Sequence, residues 1–576
     1  MHVVATAGHV DHGKSTLVRA LTGQDPDRLD EEHRRGLSIE LGYCWTRLDG
    51  LDDEVAFVDV PGHERFLSTT LAGLGPVQVA LLVVAADDPW MPQAAEHLAA
   101  LDAFDVRYGV VVVTRSDVAD PAAALARARA EVDRTSLADA PAVVVSGRTG
   151  EGLEDLRAAL AGVLRQVRPD PDADVRLWVD RVFPVAGAGT VVTGTLPAGT
   201  VAVGDVLALG DERVRVRGLE SLGRERKTVS GAARVALRLG GHAPADLARG
   251  AVLVTPDRFE PATEVDVRLH GAGDPPQRPL LHVGSARLAV HLRPLGDHHA
   301  RLRLPHPLPL RHGDRIVLRD PGSRALWGAD VLDAVPPPLS RRGAAVARAA
   351  VLETWSPHTT DEVARRGAVR RSLLDRLGVV GPIPEDALVV DDWLVSAAQA
   401  AAWRTALADV VRRAADGLSP AAAARSLGIP DPDLVAALVV PPVTMQHGRL
   451  VVATDLPRDV RAALDAVRDD LALSPFAAPD AERLAALGLD RATLARLARA
   501  GHLLVVGEGV VLLPGADSAA YDVLAGLPQP FTTSQARQAL GTSRRVVLPL
   551  LAHLDRTGRT VRLPDDTRRV GSSGRR

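Results

Sequence analysis

Lysine occurs only twice in the chain, at Lys14 and Lys227, although 68 residues are Lys or Arg. Lys14 lies in Gly8-His9-Val10-Asp11-His12-Gly13-Lys14-Ser15, which matches G-x-x-x-x-G-K-[ST]. Glycines let the backbone wrap phosphate groups, amide donors and a helix N-terminus supply positive potential, and the lysine reaches the β- and γ-phosphates. The Ser15 hydroxyl is placed to ligate magnesium. With so few lysines, chance supplies on the order of 0.001 such matches. Asp59-Val60-Pro61-Gly62 follows an apolar run, which sets a carboxylate behind the metal and the Gly62 amide where a γ-phosphate sits. Thr114-Arg115-Ser116-Asp117 follows another apolar run and stands where many GTPases carry N-K-x-D. The Asp117 carboxylate can accept from guanine N1–H and the 2-amino group, whereas adenine offers no donors there. Ser146-Gly147-Arg148 completes the base contact through loop atoms. The order of these segments favours GTP over ATP.

Such loops need strand ends to hold them. The first segment alternates strand-like runs with amphipathic stretches, the pattern of a mostly parallel sheet flanked by helices. Its strands are read at Val3–Thr6, Glu54–Val60, Ala80–Ala85, Gly109–Thr114 and Ala142–Ser146. Pro169-Asp170-Pro171-Asp172 breaks the pattern. Short β-branched strands punctuated by glycine follow to about Val335 and suggest two small β-barrels divided near Pro256–Pro261. After Pro336-Pro337-Pro338 the chain is alanine-, leucine- and arginine-rich. Hairpin-like runs recur there about every 60 residues, at Ala387–Ser396, Val443–Ala453, His502–Pro514 and Thr560–Val570, and predict four winged-helix units. The expected architecture is multidomain: an α/β P-loop GTPase domain over residues 1–170, β-barrels over 171–257 and 258–338, and tandem winged helices over 339–400, 401–455, 456–515 and 516–576.

Composition limits the alternatives. A hydrophobic content of 46% with 24% charged residues describes a globular protein rather than a disordered one. The apolar runs are strand-length, so no membrane association is expected. The lone Cys44 excludes a disulfide framework and a cysteine zinc site, and Met1 leads straight into Val3-Val4-Ala5, so a cytoplasmic protein is expected.

Gly8-His9-Val10-Asp11-His12-Gly13-Lys14 and Asp59-Val60-Pro61-Gly62-His63-Glu64-Arg65-Phe66 resemble the signatures of translational GTPases related to elongation factor Tu. Arg34-Arg35-Gly36-Leu37-Ser38-Ile39-Glu40-Leu41-Gly42-Tyr43 narrows the resemblance to the selenocysteine-specific elongation factors, the SelB family. Gly187-Ala188-Gly189-Thr190-Val191-Val192-Thr193-Gly194-Thr195 is similar to that family as well, and so is Ser543-Arg544-Arg545 ahead of Pro549-Leu550-Leu551. Two departures stand out. Ser38 replaces the switch threonine, keeping a hydroxyl for magnesium but losing a methyl, and Arg115 replaces a lysine, with its stem still able to lie along a base.

The resemblance implies GTP and Mg2+ as ligands, with Ser15 and Ser38 on the metal and His63 positioning the attacking water once the ribosome aligns it. It implies selenocysteinyl-tRNA as cargo for a monomeric factor. A selenol is largely an anion near neutral pH, so a cationic pocket separates it from a serine hydroxyl. Asp180, Arg181 and Arg234 are the candidates for that pocket. The C-terminal repeats are implied to grip an mRNA hairpin. From Ala516 to Arg576 there are ten arginines, five aspartates and no glutamate, a basic patch in a chain of net charge -4. Ser543, Arg544 and Arg545 at a helix start, with Arg562, Arg568 and Arg569 in the wing after it, are the candidate RNA contacts. A general aminoacyl-tRNA carrier does not account for the C-terminal extension. A sulfate-activating GTPase subunit has no need of winged helices, and a DNA-binding regulator leaves the barrels without a task.

Overall fold

The computed structural model describes residues 1–27, 38–88, 90–185, 189–240, 247–414, 417–452 and 456–571. The segments Arg34 to Leu37 and Gly187-Ala188, which carry part of the family resemblance, lie outside the described residues. The chain forms two compact units, Met1–Ala387 and Leu388–Arg576.

The first unit opens with a six-stranded sheet in the order β2-β3-β1-β4-β5-β6. Its strands are β1 (His2–Ala7), β2 (Gly42–Arg47), β3 (Glu54–Asp59), β4 (Val79–Ala85), β5 (Tyr108–Thr114) and β6 (Ala142–Val144). All neighbours are parallel except β2, which runs antiparallel to β3. Helices cover both faces, so the central strands are continuous apolar runs, and β4 is buried along its whole length. Alternation sends Val3, Ala5, Leu82 and Val84 into one core and Val4, Leu81 and Val83 into the other. The edge strand β2 is absent from the sequence reading, because Gly42-Tyr43-Cys44-Trp45-Thr46-Arg47 has neither an unbroken apolar run nor a clean alternation.

Two antiparallel β-domains follow, with their cores divided between Leu253 and Ala262, the place that the prolines mark. In the first, Val206–Leu209 pairs with both Val252–Val254 and Glu212–Ser221 and thereby closes the sheet into a barrel. The second is a seven-stranded sheet centred on Leu326–Asp333 and Pro261–His270. Helices Ala344–Glu353, Thr359–Arg366 and Arg371–Leu377 complete this unit. The first two are fastened to the second β-domain by buried charge. Arg348 bonds Asp266 (2.7 Å) and Asp333 (2.6 Å), and Arg365 and Arg366 each reach Asp333 at 2.8 Å. Burial alone raises the Asp333 pKa, but His312, whose Nε2 lies 3.7 Å away, and three arginines hold it far below the usual carboxylate range. Removing one partner leaves an uncompensated buried charge, so the cluster acts as a unit.

The second unit repeats one motif, three helices followed by a two-stranded hairpin. Helices Ala397–Arg413, Pro420–Leu427 and Pro432–Leu438 precede the hairpin Val443–Gln446/Arg449–Val452. Arg458–Leu473, Ala481–Ala486 and Arg491–Arg499 precede Leu504–Gly507/Val510–Leu512. Ala516–Ala525, Thr533–Ala539 and Arg544–Arg556 precede Thr560–Arg562/Arg568–Val570. A further hairpin, Leu388–Val390/Trp393–Val395, opens the unit. Side-chain caps start the helices where the sequence supplies them: Ser419, Asp431, Asp480 and Asp490 accept from backbone amides, and Thr532 with Gln535 forms a capping box. The last two repeats share one hydrophobic core that runs from Ala463 to Leu554.

Candidate functional site

The ends of β1, β3 and β5 and the loop after β6 converge on a cleft of about 560 Å3. Gly8 makes the sharp departure from β1: it lies at φ 136°, and a β-carbon there would stand 2.2 Å from the Val83 carbonyl oxygen. Its amide donates to His97 Nδ1 at 2.9 Å. Gly13, at φ 82°, starts helix α1 (Lys14–Thr22) and turns the N-terminus of that helix toward the cleft. Val10, Asp11, Gly13, Lys14 and Ser15 line the cleft. His12 does not: it is fully buried, with Nδ1 3.3 Å from the Val83 oxygen and Nε2 3.4 Å from Asp88. Burial pulls its pKa down to about 4, so it is neutral and shapes the loop from behind.

Lys14 is buried and donates to the carbonyl oxygens of Gly8 (3.1 Å) and His9 (2.8 Å). Desolvation lowers its pKa to about 8 against the opposing pull of Asp59 and Asp11. Ser15 Oγ donates to Asp59 Oδ2 at 2.6 Å, Thr6 holds the other Asp59 oxygen at 2.6 Å, and Ser38 Oγ lies 3.3 Å from Ser15 Oγ. Two hydroxyls at van der Waals separation, backed by a buried carboxylate, suit a cation whose other ligands are phosphate oxygens and water. Among the described residues no cluster of three His, Cys, Asp or Glu side chains could hold a metal by itself.

At the far end, Thr114 Oγ1 donates to the His12 carbonyl (2.8 Å) and ties the base loop to the phosphate loop. Arg115, at φ 59°, bonds both Asp87 oxygens at 3.1 Å and the Asp11 carbonyl. Its guanidinium therefore bridges two loops, while the residue lines the cleft. Asp117 accepts from Ser146 Oγ at 2.6 Å and pairs with Arg148 Nε at 2.9 Å. The Ser146 hydrogen bond, then Arg148, keeps its carboxyl below the usual range. Gly147 passes so close to α1 that a β-carbon would lie 3.3 Å from Thr16 Cγ2. His63 lies outside the cleft lining and caps the short helix Glu64–Phe66, its Nδ1 accepting from the Arg65 amide at 3.2 Å. The sequence reading misses Asp27, which lines the cleft and accepts from Ser38 Oγ at 2.8 Å. It lies in a turn that matches no phosphate or base motif.

A second cavity, of about 250 Å3, lies between β2 and the first barrel. Arg181 and Arg234 both line it, and Asp180 is buried beside them. Asp180 accepts from both terminal nitrogens of Arg234 and from Thr193 Oγ1 at 2.7 Å. Tyr43 lies beneath both cations, with its ring centre 3.9 Å from the Arg234 guanidinium carbon and 5.3 Å from that of Arg181. Burial raises the Tyr43 pKa, so the phenol is neutral.

The C-terminal candidates divide. Ser543, Arg544, Arg562 and Arg569 are exposed, with Arg562 paired to Asp566 at 2.8 Å. Arg545 instead donates to the carbonyl oxygens of Ala478 (2.5 Å), Pro479 (3.0 Å) and Gly509 (3.3 Å), joining the last two repeats. Arg568 is buried, bonds Asp555 at 3.0 Å, and pairs its backbone with Phe531. The sequence reading counts both as RNA contacts; Arg568 is buried against Asp555 and is committed to the fold, whereas Arg545 stays exposed while it bonds the three carbonyls.

Residues 1–166 match the model of the elongation factor Tu GTP binding domain, and residues 522–569 match that of the elongation factor SelB winged helix. The selenocysteine-specific elongation factor of Escherichia coli K12 is 40% identical over 350 residues, 59% of this chain and 56% of that protein. The one from Desulfomicrobium baculatum is 37% identical over 339 residues, 55% of this chain and 53% of that protein. The chain thus spans about half the length of the curated relatives it matches. A crystal structure of a bacterial selenocysteine-specific elongation factor, EF-Sec, shares the fold with a TM-score of 0.74 at 24% identity, covering 99% of this chain and 100% of that one. In its GTP binding domain and its last winged helix the chain is thus similar to elongation factors of the SelB type, and it shares their fold.

Proposed function

We propose that the protein hydrolyses GTP, carries selenocysteinyl-tRNA to the ribosome and holds an mRNA hairpin through its C-terminal helices, so that selenocysteine is inserted at UGA codons. The observation that carries the reading is the line of Lys14, Ser15, Ser38 and Asp59 at one end of a cleft whose other end holds Asp117. Lys14 leaves the Gly8 and His9 carbonyls for the β- and γ-phosphates, and the loop amides and the N-terminus of α1 take the remaining charge. Ser15 and Ser38 would hold magnesium, which supplies positive charge between the phosphates. Asp117, kept anionic by Ser146 and Arg148, accepts from the guanine edge. Ser38, so close to Ser15, reports the γ-phosphate to the segment that follows it. His63 moves from its capping position to orient water on the ribosome.

Arg181 and Arg234 give the second cavity a cationic lining suited to a selenolate and unsuited to a serine hydroxyl. Exposed Ser543, Arg544, Arg562 and Arg569 supply a helix N-terminus and guanidinium groups to an RNA backbone. The test is to recover the protein from cells with a non-hydrolysable GTP analogue and sequence the bound tRNA. Enrichment of the selenocysteine tRNA is expected, and recovery of elongator tRNAs in proportion to their abundance overturns the reading.

A further inference from the structure

Three loops meet at the base end of the nucleotide cleft, and one side chain joins them. Arg115 Nη1 stands 3.1 Å from each carboxylate oxygen of Asp87, in the loop after β4, while its Nη2 donates to the Asp11 carbonyl of the phosphate loop. A guanidinium is planar with its donors at fixed angles, so contacts on both terminal nitrogens set its plane as well as its position. Arg115 also opens the turn that presents Asp117. The Val118 amide donates to the Arg115 carbonyl at 3.0 Å, and Arg115 itself lies at φ 59°, a conformation that side chains rarely adopt without support from their surroundings. Asp11, Asp87, Arg115 and Asp117 all line the cleft.

Charge alone gives Asp87 the wrong sign for this place. A nucleotide brings negative charge into the cleft, and a carboxylate on its wall opposes that charge directly and by neutralising Arg115. We propose that Asp87 is a positioning residue for guanine-nucleotide binding, which fixes Arg115 between the phosphate loop and the Asp117 turn so that the two ends of the cleft keep one spacing. The inference rests on the nucleotide reading above. Thr114 Oγ1 already ties the base loop to the phosphate loop, and the Ala86 amide ties the loop after β4 to the Thr114 carbonyl at 2.9 Å. The Asp87 pair closes this triangle at the side chain. Without it the guanidinium keeps only the Asp11 carbonyl and turns about that bond, and the Asp117 turn loses its brace. The spacing matters equally for GDP and GTP, since both carry the base and the β-phosphate. An arginine at position 115 thereby has a use that a lysine lacks, because one ammonium offers a point charge and no plane.

Dissociation constants and dissociation rates for GDP and for a non-hydrolysable GTP analogue are measured on the full chain. The proteins compared are wild type, Asp87→Ala, Arg115→Ala and the variant with both changes. Asp87→Ala is expected to weaken both nucleotides by the same factor, about two- to fivefold, the range for one partly exposed ion pair, through faster dissociation. In the Arg115→Ala background the same change is expected to cost nothing further, whereas a general loosening of the fold would persist there. Unchanged or tighter binding by Asp87→Ala overturns the proposal and makes the carboxylate a charge that only opposes phosphates. So does a loss that remains in full without Arg115, or one confined to the GTP analogue. If the wild-type protein binds ATP as tightly as GTP, the nucleotide reading fails and takes this proposal with it, an outcome distinct from failure of the Asp87 step alone.

Discussion

A β-carbon on Gly62 would stand 2.5 Å from Lys14 Nζ and 2.5 Å from the Val10 amide nitrogen. The backbone after β3 therefore rests directly on the phosphate loop, and only a glycine permits it. Gly62→Ala must push Lys14 or Val10 aside, and it displaces the amide that meets a γ-phosphate. GTP affinity is expected to fall about tenfold or more, a cost near 1.4 kcal/mol, with a smaller loss for GDP, which has no γ-phosphate. Titration with fluorescent analogues of both nucleotides checks this. Equal losses would mean that Gly62 only spaces the loop.

Lys14 has a measurable effect even without nucleotide. Its folded pKa of about 8 lies below the value of about 10.4 for an exposed lysine. Between those values the unfolded chain binds the proton and the folded chain does not, so stability rises with pH across that window. Below pH 8 the full cost of burying the charge is present, on the order of 3 kcal/mol. Lys14→Met should therefore melt above wild type at pH 7 in the absence of nucleotide, with the advantage fading toward pH 10, while GTP binding is lost. Thermal melts of both proteins at pH 7, 8.5 and 10 decide the point, and a constant difference across them contradicts the burial argument.

The phosphate loop, the Asp59 and Gly62 positions and the domain order were legible because each depends on local spacing: a glycine turn after a strand, a carboxylate at a strand end, a proline break between cores. Partnership across the fold was not legible. Nothing near Arg545 in sequence hints that its guanidinium reaches the carbonyls of Ala478 and Pro479 some 66 residues away, or that Arg568 closes on Asp555 beneath a hairpin. Arginine is so common here that each copy looks alike until burial separates it from its neighbours. Asp27 was invisible for the opposite reason, since it joins the cleft lining and accepts from Ser38 once the chain has folded, with no motif around it to mark the place.

Asp117 accepts from Ser146 Oγ on one oxygen and pairs with Arg148 on the other. Replacing it with asparagine turns one acceptor into an NH2 group that faces guanine's own donors. Asp117→Asn should lose preference for GTP and gain preference for xanthosine triphosphate, whose 2-oxo group accepts from the new donor. Competition between the two nucleotides reads this directly, and an unaltered preference for GTP would assign base recognition elsewhere.

His63 stands at the edge of the site as a helix cap, its ring 6.0 Å from that of Phe66. His63→Ala removes one cap interaction at a half-buried turn, so GTP binding should hold within about twofold. Ribosome-stimulated hydrolysis should fall by at least about a hundredfold, the lower range for a lost general base or water-orienting group. A variant that turns over normally on ribosomes makes His63 a structural cap and nothing more.

Arg544 and Arg545 are adjacent in sequence and opposite in task. Arg545 satisfies three backbone carbonyls between the last two repeats, whereas Arg544 projects from the first turn of the helix after Ser543. Arg545→Ala should destabilise the second unit by about 2 kcal/mol, because charge-assisted bonds are lost and partly buried carbonyls go unpaired. Arg544→Ala should leave stability within about 0.5 kcal/mol and weaken hairpin RNA binding, with the salt slope reduced by about one unit or less for one lost phosphate contact. Chemical denaturation together with RNA titrations at several salt concentrations separates the two. If Arg544→Ala binds the hairpin with unchanged affinity and unchanged slope, the basic patch reflects arginine-rich composition and RNA recognition lies on another face of the repeats.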